Sequence, residues 1–290
     1  MRKITFVMAF FLLFMTTGCV GSGNLQAYAE SNQGNTENTI RVAGSTTVAP
    51  LMRELRFAYE DMNPGIRVEI QEIGTSSGIR ATIEGVSHIS MSSRYLTDAE
   101  IEQGLTGMPF ALDGIAVIVH PENEVTNLTA AEVAKIFRGE ITNWSEVGGN
   151  NAEIIVVSRE EGSGIRSSFE ELADLEVTIE RDGRTFRDSE IARNAIFEKG
   201  TGAVKGTVRL SRNAIGYVTT GVLDDTVQSV KIDGVGFSEE SVRLGDYLFA
   251  NTFLIAITDN IPTVAQNFID FIFSEEGQEL VSAKGYVSIH

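Results

Sequence analysis

The amino-acid sequence predicts an α/β protein, and three observations carry the prediction. Short apolar stretches, alternating or uninterrupted, are followed almost throughout by segments whose apolar residues recur at helical spacing. Small hydroxyl residues beside glycine punctuate junctions where a strand pattern gives way to a helix pattern. Beyond an N-terminal segment of 38 residues, about 250 remain, enough for a large core and, by length alone, roughly two domains.

Residues 1–18 have the order of a secretory signal: Arg2 and Lys3, an apolar run from Ile4 to Met15, then Thr16-Thr17-Gly18. The run is too short to span a bilayer comfortably. Cys19 is the only cysteine in 290 residues, which excludes an intramolecular disulfide and any thiol-based metal or redox pair. Its position resembles a bacterial lipobox, with Thr16 where leucine is usual, and predicts cleavage before Cys19 and lipidation of the new N-terminus. Residues 19–38 are rich in Gly, Ser, Asn and Gln without an apolar period and predict a flexible tether to the membrane. Folding is expected from Thr39.

The net charge of −17 repels nucleic acid and anionic headgroups, so no nucleic-acid partner is expected. Any bound anion must be held by local donors.

Ile40 to Ala43 predicts a first strand entering a turn at Gly44, and Val48, Leu51, Met52, Leu55, Tyr59 and Met62 predict a helix that Asn63-Pro64-Gly65 ends. Ile66, Val68 and Ile70 alternate as a half-exposed strand before a short helix carrying Ile79, Ile83 and Val86. Residues 87–92 alternate again. Ile115 to Val119 is a continuous apolar run suited to a strand buried on both faces, and Thr129 opens a helix with Val133, Ile136 and Phe137. Further strands are expected at Ile154–Val157, Ala214–Val218 and Phe253–Ile257, with helices over 163–173 and one or two over 262–283. Trp144 reads as core, and no repeat of fixed period is present.

Three clusters have the chemistry of an anion cradle: Gly44-Ser45-Thr46-Thr47, Gly74-Thr75-Ser76-Ser77-Gly78 and Gly162-Ser163-Gly164. Glycine lets backbone N–H groups turn toward a ligand, Ser and Thr add hydroxyl donors, and a helix start favours negative charge. Ordinary helix capping is the plain alternative for the first, although three hydroxyls exceed what one cap requires. The second also matches G-x-S-x-G, the elbow of a serine hydrolase with Ser76 as nucleophile. Such a serine needs a base, and the only histidines are His88 in a strand pattern, His120 in a turn and His290 at the end. Arg159, ahead of the third cluster, offers several donors to one oxyanion, with a nearby carboxylate such as Glu161 to hold it; an exposed ion pair is the alternative. Ser93 and Arg94 end a strand pattern, where α/β sheets collect ligands. No Asp/Glu cluster has metal-ligand spacing, so neither metal nor cofactor is expected.

In order, AGSTTVAPL (43–51), IGTSSG (73–78), MSSR (91–94), LDGIAVIV (112–119), AKIFRGEITNW (134–144), SREEGSGIRSSFEE (158–171), AIGYV (214–218) and FIDFIFSEEGQELV (268–281) resemble the substrate-binding lipoproteins of phosphate ABC transporters, in their Gram-positive form. The resemblance implies a two-lobed periplasmic-binding-protein-like fold of type II, with two crossover strands and a central cleft. Lobe 1 would comprise 39–112 plus 250–290, and lobe 2 residues 113–249. It implies a non-enzymatic monomer, lipid-anchored outside the cell membrane, that captures inorganic phosphate for the permease subunits. Phosphate-binding residues would be Ser45, Thr46, Thr47, Thr75, Ser76, Ser93, Arg94, Asp113, Arg159, Glu161, Ser163 and Gly164. The sequence departs from the family at Ile165, where Thr is common, at Asn251-Thr252-Phe253, and at Ser93, near which some members carry an aspartate that accepts the phosphate proton. Asp113 is the substitute acceptor expected here, with Glu161 orienting Arg159. The alternatives are a receptor for another oxyanion such as sulfate or molybdate or for a phosphorylated small molecule, a hydrolase using Ser76, and an adhesion or signalling module.

Overall fold

A computed structural model describes residues 38–181 and 184–289. The signal-like segment, Cys19 and the tether up to residue 37 lie outside the described residues.

The first elements are β1 (Thr39–Gly44), α1 (Ala49–Met62), β2 (Arg67–Glu72), α2 (Thr75–Ile83), β3 (Ile89–Ser92), α3 (Asp98–Glu102) and β4 (Leu105–Val119). Helix α1 buries Ala49, Leu51, Met52, Leu55 and Tyr59 on one stripe, and Pro50 falls in its first turn, where a missing N–H is harmless. Next come β5 (Asn127–Leu128), α4 (Ala130–Arg138), β6 (Ile155–Arg159), α5 (Gly164–Leu172), β7 (Glu176–Arg181), β8 (Arg184–Ser189), β9 (Ile196–Glu198), α6 (Thr201–Leu210) and β10 (Ala214–Thr219). A capping box between Thr129 and Glu132 starts α4, and left-handed Gly139 (φ 76°) ends it. The chain closes with β11 (Gln228–Ser229), β12 (Lys231–Ile232), α7 (Glu239–Arg243), β13 (Ala250–Thr258), α8 (Thr263–Ile272), α9 (Glu275–Ala283) and β14 (Val287–Ser288).

The main sheet runs β2-β1-β3-β13-β4-β10-β6-β9, with β11 and β14 added against β4. Strand β4 is its spine. Its first part, Leu105 to Gly114, pairs antiparallel with β13, whereas Ile115 to Val119 pairs antiparallel with β10. The sequence pattern marks only the second part as strand. Gly107 and Pro109 obscure the first, and the register slips there between Phe253 and Leu254, a bulge of the kind that tolerates proline inside a sheet.

Among the described residues, apolar side chains gather in three clusters. One draws Ile40, Val42, Leu51, Leu55, Ile89 and Phe110 together with Phe253, Phe268 and Ile269 from the end of the chain. A second holds Ile115, Val117, Phe137, Trp144, Phe169, Tyr217 and Phe249, with Phe169 stacked on Tyr217 at 4.0 Å. Ala116 and Ile118 face a third, with Val157, Val204 and Val208 of the flanking β6 and α6. The apolar run of β4 is therefore buried on both faces, as its composition predicts. Trp144 is core, its indole N–H donating to the Asn213 carbonyl at 3.0 Å.

Helix α2 sits close enough on β1 that only glycine fits at position 78: an ideal Cβ there would lie 2.3 Å from Gly44 Cα and 2.6 Å from the Ala43 oxygen. Gly78→Ala is expected to destabilise the fold by about 1–3 kcal/mol, the usual penalty of overpacking against backbone, as a lower urea midpoint with an unchanged slope.

Candidate functional site

The site is built where β1, β3 and β6 end. Strand β1 stops at Gly44, whose φ of 143° and close approach to β3 exclude a side chain: an ideal Cβ would be 2.1 Å from the Met91 oxygen. The chain then turns, with Ser45 N–H donating to that oxygen at 2.8 Å. Ser45 Oγ accepts the N–H groups of Thr47 (3.1 Å) and Val48 (3.4 Å) and donates to Ser93 Oγ at 3.0 Å. Ser45 is thus a capping group and a link to β3 at once. Thr75 opens α2 and completes the group, its Oγ1 3.5 Å from both the amide nitrogen and the hydroxyl of Ser93.

From β6 comes Arg159, only 1 % exposed. Its Nε and Nη2 donate to the two oxygens of Glu160 at 2.7 and 2.8 Å, Nη2 also to Thr46 Oγ1 at 3.2 Å, and Nη1 to Thr201 Oγ1 at 3.1 Å. Burial pushes the Glu160 carboxyl up, but the hydrogen bonds and charge of Arg159 outweigh it and hold the group below its usual range. The carboxylate that orients Arg159 is therefore Glu160, not Glu161, which is exposed. Adjacent position 160 follows the strand end and lies alongside the guanidinium, whereas 161 has already turned outward.

Ser163 is buried and starts α5 without spending its hydroxyl on a cap, so its Oγ has no partner among the described residues. Gly164 comes next and approaches the first group so closely that an ideal Cβ would lie 2.4 Å from Thr75 Oγ1 and 2.5 Å from Ser93 Oγ. The α5 first turn presents N–H groups that no helical carbonyl takes. Ile165 in that turn is buried in the apolar core, so the missing hydroxyl leaves only its amide.

Ser45, Thr46, Thr47, Thr75, Ser93, Arg159, Ser163 and Gly164 are thus brought to one place. Of the four other expected residues, Ser76 lies beside the third cluster, its N–H donating to the Gly162 carbonyl at 3.2 Å, and with Arg94 and Glu161 it lines the same cavity as Ser163, whereas Asp113 is not part of that lining. Arg94 is paired bidentately with Glu100 at 2.7 and 2.9 Å and reaches Ser76 Oγ at 3.4 Å. Among the described residues Ser76 has no imidazole hydrogen-bonded to it: His88 Nδ1 accepts the Arg41 N–H and His120 Nδ1 the Glu122 N–H, and His290 lies outside them. Asp113 is fully buried opposite Asn251 where β4 and β13 pair, takes the Thr220 hydroxyl at 2.6 Å, and makes no hydrogen bond to the cradle donors. Thr201, at the head of α6, belongs to the site without having been singled out in the sequence. Gly200-Thr201-Gly202 repeats the glycine–hydroxyl signal, but Gly202 and Gly206 mask the helix it starts.

Hydroxyl and amide donors around one buried, charge-matched guanidinium suit a small oxyanion. The fold is the two-lobed periplasmic-binding-protein-like receptor fold with two crossover strands, and a model described as a PBP superfamily domain matches residues 29–276. The phosphate-binding protein PstS of Borreliella burgdorferi is 32% identical over 269 residues, 90% of this chain and 94% of that protein. A structure from Clostridium perfringens with bound phosphate, described as a phosphate ABC transporter substrate-binding protein, is 38% identical with a TM-score of 0.81, covering 87% of this chain and 100% of that one. An ABC-type phosphate transport receptor from Vibrio cholerae is 34% identical with a TM-score of 0.70, covering 86% and 99%. This chain belongs to the PBP superfamily and, within it, to the PstS family of phosphate-binding proteins.

Desolvation raises the Asp113 carboxyl to about 7, although hydroxyls of Thr219 and Thr220 offset part of the effect. In the folded chain it therefore holds a proton that the unfolded chain releases near 4. Its contribution to stability is fully present below the ordinary carboxyl range and is lost as pH rises from there through about 7, by at most ~1.4 kcal/mol per pH unit. Urea unfolding between pH 5 and 8 is expected to record this slope in the wild type and a flatter one in Asp113→Asn.

Proposed function

We propose that this chain is the extracytoplasmic receptor that captures inorganic phosphate and delivers it to the permease subunits of an ABC importer, without catalysing a reaction. The observation that carries the reading is the convergence of uncharged donors from separate parts of the fold on Arg159, whose own charge Glu160 already matches. Such donors hold a dehydrated oxyanion without requiring net positive charge, which suits a chain of net charge −17. Relatives named for phosphate binding, including one with phosphate bound, support the same ligand.

In this reading residues 39–112 with 250–290 form one lobe and 113–249 the other, and the anion bridges them. The separate clusters around Phe110 and around Tyr217 support that division. Ser45, Thr46, Thr47, Thr75, Ser93, Arg159, Ser163 and the Gly164 amide supply the donors. Hydrogen bonds of Ser76 N–H to the Gly162 carbonyl (3.2 Å) and of Ser168 Oγ to the Ser93 carbonyl (3.0 Å) then act as latches of the closed form. The receptor is a monomer held to the outer face of the membrane by lipid on Cys19 and the tether after it. Among the described residues no helix is long and apolar enough to cross a membrane, so the anchor falls to that segment.

Titration calorimetry of the exported chain tests this: tight one-to-one phosphate binding is expected, and Arg159→Ala is expected to weaken it by about 100-fold or more, since charged hydrogen bonds contribute ~1.5–3 kcal/mol each. His88→Ala and His120→Ala should leave it unchanged. Sulfate held as tightly as phosphate would favour a general oxyanion receptor, and an ester hydrolysis abolished by Ser76→Ala would overturn the receptor reading.

A further inference from the structure

The Arg159 guanidinium spends Nε and one side of Nη2 on Glu160 and the other side of Nη2 on Thr46, which leaves Thr201 as the only partner of Nη1 among the described residues. Thr201 Oγ1 is also 3.1 Å from Thr47 Oγ1, and the residue is 4 % exposed. One buried hydroxyl thus joins the arginine of β6 to the turn after β1. The preceding residue acts on the other member of the ion pair, the Gly200 N–H donating to Glu160 Oε2 at 3.4 Å.

The junction has a counterpart in the first part of the fold. Gly74 and Gly200 immediately precede a helix that begins with Thr, at φ 88°, ψ 154° and φ 89°, ψ 151°, a region essentially reserved for glycine. Their surroundings are reciprocal. An ideal Cβ on Gly74 would lie 3.8 Å from the Gly162 oxygen, beside the third cradle cluster, and one on Gly200 would lie 4.0 Å from Thr46 Cγ2 in the first. Thr75 stands against Ser93, and Thr201 stands against Arg159 and Thr47.

We propose that Thr201 is a positioning residue, which fixes the Arg159 guanidinium against the Thr46-Thr47 turn and thereby sets how tightly the site holds its oxyanion. The choice of phosphate as ligand rests on the receptor reading above; the geometry of Thr201 does not. Its hydroxyl accepts from Nη1, so its own proton is available to Thr47 Oγ1, and the Thr47 proton is released toward the ligand. Loss of the hydroxyl leaves two buried groups without their partner and the planar guanidinium free to turn about its long stem.

Calorimetry with inorganic phosphate compares the exported wild type with Thr201→Val, which keeps the branched shape, and Thr201→Ser, which keeps the hydroxyl. Thr201→Val is expected to bind about 10- to 100-fold more weakly and Thr201→Ser within about threefold of wild type, the range that one buried hydrogen-bond partner of a charged group accounts for. Wild-type affinity in Thr201→Val, or an equal loss in both variants, overturns the proposal. A second measurement needs no ligand: nitrogen–proton NMR of the guanidinium, assigned by its disappearance in Arg159→Lys, follows rotation of the Nη1 protons. Rotation is expected to be slow in wild type and Thr201→Ser and fast in Thr201→Val; slow rotation in Thr201→Val overturns the proposal. A wild type that binds no phosphate would remove the receptor reading, and the NMR comparison would still decide the role of Thr201.

Discussion

Everything at the site follows from burying one guanidinium. A charge removed from water costs several kcal/mol unless it is paired and hydrogen-bonded, and Arg159 meets that demand with a carboxylate and two neutral hydroxyls drawn from distant parts of the chain. The demand also explains the strand order at this end of the sheet. Strand β6 lies between β10 and β9, and the Glu160 N–H continues the β9 pairing by donating to the Glu198 carbonyl at 3.1 Å. That pairing places the start of α6 beside the arginine. Tyr217 of β10 fixes the other flank, its hydroxyl 2.8 Å from Ser158 Oγ and accepting the Arg159 N–H at 3.4 Å.

Strand β4 then decides which groups can meet. Because its two parts pair with different neighbours, the elements built on β13 and those built on β10 share a single continuous strand, and their loops converge at the same place. Glycine permits the final approach. Gly44, at the end of β1, lies against the Met91 oxygen and Gly164, at the start of α5, against two hydroxyls at distances no Cβ could occupy, so both backbones come directly up to their neighbours. The apolar clusters on either side, around Phe110 and Phe169, hold these loops from behind.

Much of this was legible in the sequence, for identifiable reasons. Strands with strong apolar runs and the α1 stripe follow from period alone, and the three glycine–hydroxyl clusters stand out by residue type, although capping uses the same residues, as Ser45 does here. What escaped depends on partners distant in sequence. The first part of β4 is disguised by Gly107 and Pro109, whose fitness comes from a bulge against β13. Helix α6 carries Thr201, Val204 and Val208 on its buried side, yet its glycines and β-branched residues argue against a helix until β6 and β10 pack upon it. The choice of Glu160 over Glu161 turns on a single residue of chain direction, which spacing cannot resolve. Asp113 looked like a ligand residue because it adjoins a crossover; its bond to Thr220 and burial among strands are tertiary facts.

The separation of Asp113 from the cradle bears on how the anion's charge is met. Within the cradle the ion pair of Arg159 and Glu160 is neutral overall, so in the proposed receptor an anion would be held by individual hydrogen-bond donors, Arg159 among them, rather than by net positive charge. The others include hydroxyls that already contact one another: Ser45 with Ser93, Ser93 with Thr75, Thr47 with Thr201. A hydroxyl redirects its proton by rotating about one bond, so donors can turn from each other to an arriving oxyanion while the heavy atoms stay largely in place. Ser163, buried and without a partner among the described residues, is already free to do so. In the proposed receptor such a site would be preorganised in its atoms and adaptable in its hydroxyl protons, so that taking up an anion would require little rearrangement of buried charge.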